Sequence, residues 1–133
     1  LKETKAQKYQ VESITASGFV RLHQKQYDRH EDPDVLASVE RQIRRIHHKT
    51  NLVLFDDVGR EHDPGTGYAS GVLFEVMRDR YNRKLSFIIT SNLDSVGLQE
   101  RYSESFVSML SGKTHVIELN GEDYRRAAGA VRD

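Results

Sequence analysis

Four consecutive apolar residues, Leu52 to Phe55, stand between Thr50-Asn51 and the paired aspartates Asp56-Asp57. So short a run, bounded by turn formers, predicts a strand buried on both faces, and such strands belong to parallel sheets. Upstream, the β-formers Tyr9, Val11 and Ile14 alternate with polar positions, predicting a strand over Tyr9 to Thr15. Ser17 then stands where it could cap a helix carrying Phe19, Val20, Leu22 and Tyr27. Asp32-Pro33 is a capping residue followed by proline, and Val35, Leu36, Val39, Ile43 and Ile46 recur behind it at helical spacing. The other face of that helix carries Arg41, Arg44, Arg45 and His48.

Beyond the turn-rich stretch from Gly59 to Gly67, the apolar positions Val72, Leu73, Val76, Met77 and Tyr81 predict a second amphipathic helix, with Arg78, Arg80 and Arg83 toward its outer side. Leu85 to Ile89 reads as another short buried strand, and the strand–helix–strand unit so formed should cross over right-handed. Leu93 to Leu110 is expected to form short helices interrupted near Ser103, His115 to Leu119 a last strand, and the alanine-rich tail after Tyr124 a fraying helix. The alternation is that of a single α/β domain, a mainly parallel sheet with helices on both faces.

Composition narrows the function classes. Twenty basic residues balance twenty acidic ones, so attraction to nucleic acid or an anionic membrane must come from a local patch. Without cysteine there is no disulfide, thiolate-held zinc or thiol catalysis. No apolar run approaches the roughly 18 residues of a membrane span, and Leu1 to Lys5 is no signal-peptide core, so a cytoplasmic protein is expected.

In doubly wound sheets, ligands sit beyond the carboxyl ends of the strands, where Asp56, Asp57 and Asn92 all fall. An apolar strand ending in two acids suits nucleotide hydrolysis: one carboxylate holds the Mg²⁺ shell while the other orients or deprotonates the attacking water. Asp56 takes the metal role in that scheme and Asp57 the water role. The amide of Asn92, at the end of Thr90-Ser91-Asn92, stands where it could bridge water and γ-phosphate. Equally, two aspartates can simply end a strand and cap a turn, and an asparagine can cap a helix.

Taken in order, Leu52-Val-Leu-Phe-Asp-Asp-Val-Gly-Arg-Glu61, Leu73-Phe-Glu, Arg80-Tyr-Asn82, Ile89-Thr-Ser-Asn92 and Glu118-Leu-Asn-Gly-Glu-Asp-Tyr-Arg125 resemble the DnaC/DnaI helicase loaders and their IstB relatives among the AAA+ ATPases. The resemblance covers most of the chain from about Tyr9 onward. It implies a P-loop NTPase core that binds ATP and Mg²⁺. Asp56 becomes the Mg²⁺-associated Walker B acid, Asp57 the catalytic acid and Asn92 the sensor-one residue. The implied partners are a replicative helicase, single-stranded DNA and further copies of the chain, with an IstB-like transposition helper as the alternative.

Two features depart from that family. No Gly-x-x-x-x-Gly-Lys-Ser/Thr occurs: Gly112-Lys113-Thr114 supplies the last three letters, but Val107 stands where the first glycine belongs. The chain is therefore expected to begin in the helix that follows the phosphate loop and not to turn over ATP as written, whether as an N-terminally truncated ATPase or as a non-catalytic AAA+ remnant serving as a binding module. In the segment that resembles Gly-Glu-Arg-x-x-Ser-Arg, Ser105 and Met109 replace the arginines whose charge acts on a neighbouring subunit's nucleotide, an effect of about 10³–10⁵ in rate in related NTPases. Arg101 lies close enough in sequence to substitute.

Two basic clusters are candidate DNA contacts: Arg41, Arg44, Arg45 and Lys49 with His47 and His48, and Arg78, Arg80, Arg83 and Lys84. Either could instead be a solvated helix face. Zinc is not expected, because the adjacent His47 and His48 point to different helix faces and His62 lies in a loop.

Overall fold

The computed structural model describes residues 8–63, 65–119 and 121, and in them the α/β alternation is present as three parallel strands and five helices. Strand β1 (Val11–Thr15) runs into α1 (Ala16–Lys25), α2 (Pro33–His48) leads to β2 (Leu52–Asp56), and α3 (Tyr68–Asn82) leads to β3 (Ser86–Ile89). Helices α4 (Ser95–Arg101) and α5 (Glu104–Lys113) follow. The tail after Tyr124, expected to be helical, lies outside the described residues, as does most of the Glu118–Arg125 run.

Local chemistry sets the helix ends. Thr15, rather than Ser17, caps α1 by accepting from the Gly18 N–H at 2.9 Å. The expected Asp32-Pro33 start holds for α2: Asp32 accepts from the Asp34 N–H at 2.7 Å. Ser103 breaks the α4–α5 segment where expected and caps α5 through the Phe106 N–H.

The sheet order is β1-β2-β3, with Glu12, Val53 and Phe87 in one row and Ile14, Phe55 and Ile89 in another. These rows face the helices. Val53 and Phe55 are fully buried, and the Phe19 ring of α1 stands edge-on to Phe55 with centroids 5.8 Å apart. The alternate rows face away, and there Val11 and Ile88 are 61% and 51% exposed while Leu52 and Leu54 are half-buried. Among the described residues, then, the helices cover one face, not two, and β2 and β3 alternate instead of being buried on both sides. A run of four apolar residues looks the same in either case. His115 to Leu119 is not a strand: Val116, Ile117 and Leu119 are at least 80% exposed, and β-forming residues without a ladder partner do not make one. The outer edge of β3 is likewise unpaired among the described residues. No described helix is long and apolar enough to cross a membrane.

Arg80, expected on the outer side of α3, is fully buried. Its guanidinium donates to the Ile46 carbonyl at 2.7 Å, the Thr50 carbonyl at 2.6 Å and the Ser86 carbonyl at 2.7 Å, tying the end of α2 to the starts of β2 and β3. Burial pulls the Arg80 pKa down, and the Glu12 carboxylate partly offsets this. Thr50 bridges the two, its carbonyl accepting from Arg80 while its hydroxyl donates to Glu12. Arg45 completes the network with a forked contact to Glu12, Nη2 to Oε1 at 2.7 Å and Nε to Oε2 at 3.1 Å. One connected set of polar groups therefore fastens β1, α2 and α3 together where the strands begin.

Candidate functional site

At the other end of the strands, the turn after β2 is stitched to the residues after β3. The Thr90 N–H donates to the Phe55 carbonyl at 3.1 Å and the Val58 N–H to the Thr90 carbonyl at 2.9 Å. The Thr90 hydroxyl donates to the Asp56 carboxylate and accepts from the Asp57 N–H at 3.0 Å, and the Ser91 hydroxyl donates to the Val58 carbonyl at 2.6 Å. Asp57 holds φ at +55°, a left-handed conformation that aspartate tolerates better than most residues. At Gly59, φ is +103°, a conformation that side-chain-bearing residues rarely adopt, and an added Cβ would also have to displace the Leu93 side chain.

Asp56 ends β2 and Asp57 follows it, with Thr15 of β1 in register beside Asp56, whereas β3 ends at Ile89 and Asn92 stands three residues past it, on the same side of the sheet's carboxyl edge. Their states differ. Asp56 is half-buried and engaged by Thr90, whereas Asp57 and Asn92 are exposed and their side chains make no hydrogen bond among the described residues. Neither serves as a helix cap: Asp94 caps α4 by accepting from the Gly97 N–H at 2.8 Å. Asp63 organises the loop before α3, accepting from the Gly65 and Gly67 N–H groups and from the Ser70 hydroxyl.

Glu61 gave no signal in the sequence beyond its place in the quoted run, yet it is buried at 2% exposure. Its carboxylate accepts from the Gly59 N–H at 2.8 Å and from the Tyr102 hydroxyl, and Arg101 Nε lies 3.5 Å away. Arg101 also donates to the Glu61 carbonyl. Burial, and then the bond to Glu61, push the Tyr102 hydroxyl pKa well up. Arg101 is therefore engaged within its own chain. An open pocket of about 620 Å³ lies beside this loop, lined in part by Gly59, Asp63, Leu93, Arg101 and Tyr102.

No protein-family model and no curated protein matches this chain. What the site can do must therefore be argued from its own groups. The carboxylates and hydroxyls at the strand ends are hard oxygen donors, of the kind a hydrated Mg²⁺ accepts.

The basic cluster on α2 divides. Arg41, Arg44 and Lys49 are exposed, whereas Arg45 is held by Glu12. In the second cluster Arg80 is inside the protein, so that patch is smaller than expected.

The histidines do converge, contrary to expectation. His47 is buried and His48 is exposed, yet both reach the same oxygen of Asp79, His47 Nδ1 at 2.8 Å and His48 Nε2 at 3.6 Å. His23 Nε2 lies 3.4 Å from His47 Nε2, and its Nδ1 lies 3.3 Å from Gln26 Nε2. Burial and then the neighbouring His47 pull the His23 imidazole below its usual pKa, with Glu75 partly opposing. Burial alone would push the Asp79 carboxyl up, but the hydrogen bond with His47 and the charges of His47 and His48 outweigh it and hold it down. The hydrogen bond from Arg45 does the same for Glu12 against burial, with help from Thr50.

All three folded pKa values are depressed, so each group binds protons more readily in the unfolded chain and stability rises with pH. His23 contributes fully above about pH 6.5 and loses its share as pH falls through its folded value. Glu12 and Asp79 contribute fully above about pH 4.5 and lose theirs as pH falls further. Urea midpoints measured from pH 8 to 3 in metal-free buffer are expected to fall in two stages. The upper stage should flatten in His23→Gln, and its persistence there would remove His23 as the cause.

Proposed function

We propose that this chain supplies the metal- and water-handling half of a DnaC/DnaI-like helicase-loader ATPase site. The observation that carries this is the pairing of an engaged Asp56 with a free Asp57 and a free Asn92 at the carboxyl edge of adjacent parallel strands. Asp56, steadied by Thr90, would hold the hydrated Mg²⁺ of ATP. Asp57 would orient the attacking water and Asn92 would address the terminal phosphate. Bound Mg²⁺ supplies charge neutralisation of the phosphates. Single-stranded DNA would lie along Arg41, Arg44 and Lys49, and the helicase and further copies of the chain are the partners this activity requires.

The test is Mg²⁺-dependent ATP hydrolysis by the complete gene product. Asp57→Asn is expected to keep ATP binding and lose about 10²–10⁴-fold in turnover. Equal turnover in the variant and the parent would overturn the assignment. DNA binding through those three cations must weaken by about 20-fold between about 50 and 200 mM salt, as three phosphate contacts on a single strand would require.

A second function, a non-catalytic binding module of AAA+ type, is favoured by one observation: Arg101, the arginine nearest the replaced finger positions, is consumed by Glu61. Absence of ATP binding by the complete gene product would select it.

A further inference from the structure

Adjacent helical residues project about 100° apart, so His47 and His48 have no intrinsic reason to meet. They meet because Asp79 of α3 lies between them. One ligand atom from each of the three residues lies within 4.8 Å of the other two. We infer that His47, His48 and Asp79 form a binding site for a divalent transition metal of the zinc class, with His23 holding the His47 ring from behind.

The distances suit such an ion. Zinc bonds of roughly 2.0–2.1 Å in a tetrahedron place neighbouring ligand atoms about 3.3 Å apart. Two of the three edges here, 2.8 Å and 3.6 Å, bracket that value. The third, between the two histidine nitrogens, is at most 4.8 Å, and the exposed His48 ring is the side chain free to turn and close it. Two imidazoles and a carboxylate also match the donors that zinc, cobalt and nickel accept.

The outer contacts fit as well. A ligating histidine donates its other ring N–H to a neighbour, which fixes its tautomer. Without metal, His47 Nδ1–H donates to Asp79, leaving Nε2 to accept from His23 Nε2–H. With metal on Nδ1, the His47 proton moves to Nε2 and the bond to His23 reverses direction; His23 then carries its proton on Nδ1, and the Gln26 amide must turn over so that its oxygen, in place of its nitrogen, faces that N–H. Three protein ligands leave a fourth position for water, and an open pocket of about 630 Å³ lined by these residues and Glu75 admits it.

The experiment is calorimetric titration of the chain with Zn²⁺, alongside Co²⁺ visible spectra and the ring nitrogen NMR signals of the histidines. Saturable one-to-one binding at micromolar affinity or tighter is expected, with the His47 and His48 ring signals moving and that of the loop residue His62 unmoved. His48→Gln, at an exposed position, should fold normally and weaken Zn²⁺ binding by about tenfold or more, and Asp79→Asn should do the same. No saturable binding by the parent chain would overturn the site. So would undiminished binding in His48→Gln, or a loss as large in His62→Gln.

Discussion

Replacing Arg80 by alanine is expected to destabilise the fold by about 3–5 kcal/mol, as much as truncating a fully buried aromatic side chain. The truncation leaves the buried Ile46 and Thr50 carbonyls and the part-buried Ser86 carbonyl without that donor, removes the cation that faces Glu12, and empties the space the fully buried side chain fills. Domains of this size have about 5–15 kcal/mol in total, so the variant should be marginal at 37 °C. Arg80→Met restores most of the volume but none of the donors, and should recover only part of the loss. Arg80→Lys keeps the charge but offers no planar fork to three carbonyls, and should fall between methionine and the parent. Urea unfolding followed by circular dichroism orders the series. A loss below about 1 kcal/mol in Arg80→Ala would mean that those carbonyls find water and that the guanidinium is not the fastening it appears from its bonds.

Arg80 also shows where sequence reasoning went astray. Leu73, Val76, Met77 and Arg80 follow the i, i+3, i+4, i+7 spacing of a buried stripe, so periodicity alone puts Arg80 inside. Its charge argued otherwise, and the three carbonyls that compensate the charge come from elements distant in sequence. His47 repeats the lesson, since Ile43, Ile46 and His47 share the buried side of α2. Strand ends were easier to read. The parallel β2–α3–β3 unit and the placement of Asp56, Asp57 and Asn92 follow from local signals: a short apolar run, two acids, an amphipathic helix and a second run. Coverage of the sheet was not legible, because whether Val11, Leu54 and Ile88 are buried depends on what packs over them and not on what they are. His115 to Leu119 has strand-forming residues for the same reason without a strand, lacking a neighbour to complete its ladder among the described residues.

Glu61 is the second position at which a large effect is expected, and no local pattern marks it. Its carboxylate joins the turn after β2 to the α4–α5 pair, through the Gly59 N–H on one side and Arg101 and Tyr102 on the other. Glu61→Ala would leave the Gly59 N–H and the Tyr102 hydroxyl unanswered and remove the charge facing Arg101 in a site that is 2% exposed, and about 3 kcal/mol should be lost. Glu61→Gln is the sharper probe. Glutamine keeps the volume and can still accept from the Gly59 N–H, but only with its N–H₂ turned to the Tyr102 hydroxyl, which must then accept where it donated before, and the ion pair with Arg101 is gone. About 2 kcal/mol is expected, and Tyr102→Phe, which removes one donor from the carboxylate, should lose less. The distinguishing measurement is amide hydrogen exchange. If Glu61 holds the two parts together, the variant should lose protection from Val58 to Glu61 and through α4 and α5 while β1 and α2 keep theirs. Uniform loss of protection across the whole chain would show instead that Glu61 supports the fold globally, with no special hold on the loop that follows Asp57.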